Sequence, residues 1–378
     1  MYPIEQKILA YAAELNPDSG QREKLLALVS SYEDVNQLID LADKEGLTCL
    51  FYKNFEKAGL LETLSPHHRE RLQSNYYQTA GFNLKLIHEL KEILQRVNQE
   101  NIHVVLLQGM DLIQQVYGDI GLRPMVDIDL WVLEKDFPGF TGILARRGYQ
   151  RDPIYPNTFR KGSTTFDLHT HILWADRIRA CRFLLNKGEE DIYQRARLID
   201  FQGQEALCLN PYDQVVYLGL HALKHYVNRL IWLADIKGLV EQWNRSDWEA
   251  LTNRAKELGQ EKPLSYIFFL LVKLFDFKLP AAAQQLADRK RLHVLEKRIL
   301  RERIKGGSLP FWAPVFLVSS EKGLHKRFTF LLESLFPRPE IMRQIFPDSM
   351  DRRLWQLYLM RVLELLKRIV KKRGWKGE

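Results

Sequence analysis

Two acids two residues apart, Asp127 and Asp129, stand in the run MVDIDLWVL (125–133), where apolar and acidic residues alternate. Alternation at period two predicts a strand with two unlike faces. Both carboxylates then leave one face about 7 Å apart, while Ile128 and Leu130 point into a core. Carboxylates that close repel each other unless a cation lies between them, and oxygen donors of this kind suit Mg²⁺ or Mn²⁺ beside substrate phosphates. A third acid on a neighbouring strand completes a two-metal site. Asp167, isolated between Phe166 and Leu168 in FDLHTHI, is the candidate. Asp127, Asp129 and Asp167 are therefore the expected metal-holding and catalytic residues. His169 and His171 follow at strand spacing and could extend the metal site, orient the acceptor or make structural hydrogen bonds; His169 is expected to support the site from behind the metal-holding acids, and His171 is left open.

Such acids need a rigid frame. Residues 1 to about 100 read as helices, with Pro3, Pro17 and Pro66 at boundaries and a long amphipathic stretch from His67 to Asn98. At Ile102 the period changes: HVVLL (103–107) suits a buried strand entering a turn at Gln108-Gly109, and 110–117 a short helix. A helix is expected over 135–147. TFRKGSTTFDLHTHI (158–172) reads as a hairpin turning at Lys161-Gly162-Ser163, whose second arm carries Asp167, His169 and His171 on one face. Another hairpin is expected over 196–209, turning near Gly203. Beyond Pro211 helices are expected at 212–226, 229–243, 247–258, 262–275, 289–303, 325–335 and 351–372. The expected class is α+β: a helical region at 1–84, a small mixed-sheet core at 85–210, a helical domain at 211–350 and a basic amphipathic tail helix at 351–378.

The order strand, Gly109, short helix, Arg123, Asp127-Ile128-Asp129-Leu130, then Asp167-Leu168-His169 resembles the nucleotidyltransferase superfamily that includes kanamycin nucleotidyltransferase and DNA polymerase beta. More narrowly, LLQGMDLIQQVYGDIGLRPMVDIDLWV, FDLHTHI and LHALKHYVNRLIWLADIKGLVE resemble a bacterial branch of uncharacterised nucleotidyltransferases, over roughly 85 to 245. The resemblance implies transfer of a nucleoside monophosphate, AMP in the first instance, from a nucleoside triphosphate such as ATP, with release of pyrophosphate. Asp127 and Asp129 would hold the metals that bridge the triphosphate, and Asp167 the one nearer the acceptor, helping to deprotonate its hydroxyl. Gly109, with Gln108 before it, would bring the backbone close to the terminal phosphates, the following helix offering its N-terminal amides. The superfamily places Ser after that glycine and the branch Lys before it; here stand Met110 and Gln108, while Asp111 competes with phosphate for the positive end of the helix. Arg123 is placed to reach a phosphate. His221, Lys224 and His225 share one helical face, on which Lys224 or His225 would touch phosphates and His221 support them, with Asp235 on the next helix. Trp232 and Leu233 read as core.

Composition bounds the rest. Of 378 residues 46% are hydrophobic and 27% charged, as in ordinary globular proteins, and the net charge of +8 favours polyanionic partners. Cys49, Cys181 and Cys208 lack disulfide or zinc-ligand spacing, the N-terminal run lacks a secretory pattern, and the most apolar segment, 266–277, contains Lys273 and Asp276, so a cytoplasmic protein is expected. From Asp351 to Glu378 nine Lys or Arg face three acids, +6 of the net +8. Trp355, Leu359, Val362, Leu363, Leu366, Ile369 and Val370 form one arc there. That helix is expected to dock on the protein's own helical half, with an anionic membrane as the next partner and nucleic acid after it, since no aromatic and basic single-strand platform is evident. The acceptor is unspecified: a small molecule, sugar, peptide or protein. The competing reading is a degenerate nucleotidyltransferase fold that binds a partner or tethers to a membrane.

Overall fold

The computed structural model describes residues 3–287, 292–320, 322–349 and 351–373, the last six through their backbone alone. Its N-terminal part is helical as expected: α1 (Ile4–Ala12), α2 (Ser19–Ser30), α3 (Val35–Glu45), α4 (Thr48–Lys57) and the long α5 (Pro66–Gln99). Ser65 caps α5, its hydroxyl accepting from the His68 N–H at 3.3 Å, and Pro66 fills the first turn, where a missing N–H costs nothing. Leu86, Leu90, Ile93, Leu94 and Val97 recur at helical spacing and are buried in one cluster with Leu106, Ile128, Leu130, Phe166 and Leu168 of the sheet. The boundary expected at 84/85 falls inside α5, which passes through it unbroken.

Seven strands form one mixed sheet: β1 (Val104–Leu106), β2 (Ile128–Val132), β3 (Gln150–Arg151), β4 (Thr158–Lys161), β5 (Thr164–His169), β6 (Arg197–Phe201) and β7 (Gln204–Cys208), in the order β3-β4-β5-β2-β1-β7-β6. The fold is α+β. Parallel pairs (β2 with β5, β1 with β7) sit inside, and antiparallel hairpins close both edges. The hairpins turn where expected, at Gly162 and Gly203, whose φ values of +57° and +82° only glycine adopts without strain. One expectation is corrected: β2 begins at Ile128, not at Met125. β1 ends opposite Leu130, with the Leu107 N–H donating to Asp129 O at 3.1 Å just past its end, and Asp127 sits on the approach to the strand.

Short α6 (Gln108–Leu112) continues into a π-type turn (Ile113–Tyr117), and α7 (Phe137–Arg146) and α8 (Gly188–Gln194) flank the sheet's chain crossings. Past Pro211 come α9 (Pro211–Lys224), α10 (Ile231–Val240), α11 (Arg245–Leu258), α12 (Glu261–Leu274), α13 (Val294–Ile304), α14 (Ala313–Val318), α15 (Leu324–Leu335), α16 (Pro339–Ile345) and α17 (Leu354–Arg373). Residues 289–291, the start of the helix expected at 289–303, lie outside the described residues. Helices α14 and α16 were not expected. Each carries a proline in its first turn, Pro314 and Pro339, where a missing N–H costs nothing.

Buried ion pairs join the chain's two ends. Glu45 of α3 pairs with Arg303 of α13 and also accepts from the Leu230 N–H at 2.8 Å; Lys237 of α10 pairs with Glu14. Removing one member of a buried pair strands the other charge. Arg303→Met should therefore cost about 3–5 kcal/mol in chemical denaturation. Adding Glu45→Gln, which keeps the acceptor for Leu230, should restore most of it.

Candidate active site

Strand register makes the centre of the site. In the parallel pair β2–β5, Asp129 lies directly opposite Asp167, and in the antiparallel pair β4–β5 Thr158 lies opposite Asp167 from the other side. The Thr158 hydroxyl donates to Asp167 Oδ1 at 3.0 Å. His169, two residues on and hence on the same face, places Nε2 3.0 Å from Asp129 Oδ1 and 3.9 Å from Asp167 Oδ2. Ligand atoms of Asp129, Asp167 and His169 fall within 4.8 Å of one another, a spacing that a divalent ion can bridge. Asp127 stands outside this closest group, yet burial, then the charges of Asp129 and Asp167, push its carboxyl up to about 7. Burial raises Asp167 as well, the His169 and Asp129 charges acting on it in opposite senses. For His169 burial is the largest influence and works downward, but the hydrogen bond and charge of Asp129, with Asp167, outweigh it and raise the imidazole.

Helix α9 covers these acids. Asn210 caps it, accepting from the Tyr212 N–H at 3.2 Å, and the helix is buried from Asp213 through Leu223. It brings His221 and Lys224 to the site, with His225 just beyond its end. The Lys224 ammonium lies 3.6 Å from the Trp174 ring centroid, and burial, then Arg177, lowers it to about 7. Burial, then Lys224, takes His225 down to about 4 and, with His225, holds His221 well below its ordinary range. The two imidazole centroids lie 4.6 Å apart with the rings tilted by 40°, and Trp232 meets His221 edge-on at 5.4 Å. Trp232, expected to be core, is instead a wall of the site, whereas Leu233 is fully buried as expected.

Other expected residues hold different positions from those anticipated. Arg123 Nε and Nη2 bind both oxygens of Asp235, at 2.9 and 2.8 Å, and Tyr117 donates to the same carboxylate at 2.6 Å. Two of its three guanidinium nitrogens are thus turned to the interior. A Cβ on Gly109 would lie 2.5 Å from Met125 Sδ and 2.7 Å from Arg123 Nη1, so glycine is required there by close packing against the 123–125 loop. Gln108 adopts a left-handed backbone at φ +50°, a strained position for a side-chain-bearing residue. Asp111 makes no cap: it is buried, accepts from Gln115 and Gln214, and burial raises it to about 7. Met110 is buried in the core. His171 leaves the arm, because β5 ends at His169, and binds Glu189 at 3.0 Å and Arg182 at 3.0 Å.

The acids open into a cleft of about 620 Å³ lined by Gln108, Gly109, Arg123, Asp127, Asp129, Asp167, His169, His221, Lys224 and His225, among others. The family model for uncharacterised nucleotidyltransferases matches residues 31–276, nearly two thirds of the chain. The chain belongs to that family. No curated protein matches it. In this chain one wall of the cleft comes from beyond the matched region: Arg338, Glu340, Ile341 and Gln344, at α16. A chain of contacts connects that wall to the acids. Asn157 beside Thr158 donates to Asp176 at 3.2 Å, and Arg177 stacks on Tyr155 and donates to Gln344 at 3.2 Å.

Thr158 could have been found from the sequence, since counting back from the turn at Gly162-Ser163 pairs it with Asp167. Nothing local announces Asp176, Arg177 or Arg338. If the acids and His169 hold a divalent ion, Mn²⁺ titrated calorimetrically should bind the wild type and fail to bind Asp129→Ala or Asp167→Ala. His169→Ala should weaken binding by about 10–100-fold.

Proposed function

We propose that this chain catalyses Mg²⁺- or Mn²⁺-dependent transfer of a nucleoside monophosphate from a nucleoside triphosphate, ATP being the first donor to assay, to a hydroxyl or phosphate of an acceptor. The observation that carries this reading is the in-register pair Asp129 and Asp167, with Asp127 beside them, at the floor of a cleft that Gly109 and Lys224 also line. Family membership supports nucleotidyl transfer as the reaction class. The carboxylate-rich donor set fits a hard divalent cation.

Asp127, Asp129 and Asp167 hold the ion, which when bound neutralises the triphosphate and acidifies the acceptor hydroxyl. The acceptor oxygen attacks the α-phosphorus, the α–β bridging P–O bond breaks, and pyrophosphate leaves with the electron pair. The hydroxyl proton goes to Asp167 Oδ2, since Oδ1 already accepts from Thr158. His169 fixes the orientation of Asp129 through its hydrogen bond. Lys224 and His225 meet the phosphates from α9, and His221 backs His225 through a tilted ring contact.

Two measurements test this. Labelled ATP, CTP, GTP and UTP titrated with Mg²⁺ or Mn²⁺ should include one that binds the wild type about 10–100-fold more tightly than Asp127→Ala/Asp129→Ala, the loss expected for one or two charge-assisted contacts. Metal-independent binding, equal in the variant, would make the protein a binding module instead. The second uses Lys224. With its pKa lowered to about 7 it is mostly neutral at pH 8. A triphosphate beside it favours the charged form. Binding at pH 8 should then take up about one proton, read from the dependence of calorimetric enthalpy on buffer, and Lys224→Met should remove that uptake.

A further inference from the structure

Residues 324–373, all beyond the family match, hold twelve Lys or Arg against five Asp or Glu, +7 of the chain's +8. Two helices in this stretch are amphipathic in an inverted sense: each buries a narrow face and turns a wide apolar one to solvent. In α17 Leu357 and Leu365 are buried, and Tyr358 donates its hydroxyl to Pro337 O at 2.6 Å. Trp355, Leu359, Leu363 and Leu366 occupy the opposite arc and are 60, 52, 49 and 51% exposed. In α15 Phe330 is buried while Leu324, Phe328, Leu331 and Leu332 are 84, 60, 40 and 41% exposed. Phe336, at the end of α15, is half exposed and lies 6.1 Å from the Tyr358 ring, so the two helices are tied at that point. Exposed apolar residues scattered singly need no account, but two stripes at helical spacing do. The docking expected of the tail helix is therefore realised through Leu357 and Leu365, and the arc read from the sequence is left uncovered; of that arc, the side chains of Ile369 and Val370 lie outside the described residues.

We propose that α15 and α17 dock on an anionic bilayer, lying in the plane of the interface. Their leucine, phenylalanine and tryptophan side chains enter the acyl region, and the exposed Lys326, Arg352, Arg353 and Lys367 reach headgroup phosphates. Charge decides the occupant. A second copy would bring one +7 segment against another, whereas a surface of anionic lipids complements it. Among the described residues no helix is long and apolar enough to cross a membrane, so the contact is peripheral.

Flotation of the full-length protein tests this with vesicles of phosphatidylglycerol and phosphatidylcholine in equal parts, against phosphatidylcholine alone, at low salt. The wild type is expected to float with the mixed vesicles only. Leu359→Glu/Leu363→Glu and Leu324→Glu/Phe328→Glu should each lower the bound fraction about tenfold or more. Their circular dichroism and melting temperature should not change, because the replaced side chains are exposed. Arg352→Glu/Lys367→Glu, which leaves both stripes intact, should lower binding as well. The proposal is overturned by a wild type that does not float, by equal binding to phosphatidylcholine alone, by unchanged flotation of the apolar pairs, or by a dimer in sedimentation velocity that those pairs dissolve.

Discussion

Asp129 and Asp167 are locked side by side by a parallel strand pair, and carboxylates in that register repel each other, with His169 of the same pair as their one strand-borne counter-charge. The sheet cannot relieve the repulsion by sliding. A shift of one residue would turn Ile128, Leu130, Phe166 and Leu168 out of the core beneath α5. Apolar burial on one face thus fixes an unfavourable arrangement of charge on the other. Binding of a cation converts that liability into affinity.

The basic groups around the acids do not relieve it in advance. Arg123 is committed to Asp235 and Tyr117, and burial strips charge from Lys224, His221 and His225. His169 is the exception, held up by Asp129. The cleft therefore keeps a negative floor under weakly charged walls. A triphosphate carrying its own divalent ion, the substrate proposed above, would bring a cation to that floor together with phosphates for those walls.

What was legible in the sequence is what depends on local period. Alternation gave the faces of β2 and β5, the glycine turns gave both edge hairpins, and together they placed Asp129, Asp167 and His169 on one surface. Asp127 was placed on the strand because alternation continues past the point where pairing stops. Contacts between distant segments left no such mark: Arg123 finds Asp235 across 112 positions, and Arg177 finds Gln344 across 167. A lone arginine before an acidic strand looks the same whether it faces phosphate or interior. In α17 the amphipathic pattern was plain, but which arc is covered depends on the neighbours, and Leu357 and Leu365 are too few to stand out in a pattern.

The wall at α16 has a consequence of its own. It is tied to the acids through a row of side-chain contacts but shares no strand and no residue with them. Exchange of Arg338, Ile341 or Gln344 can therefore alter which molecules fit the cleft while β2, β5 and their acids keep their register. The acids of the floor and the side chains of this wall thus belong to separate elements, so the shape of the cleft can change at α16 without any change in the strand pairing that sets the floor.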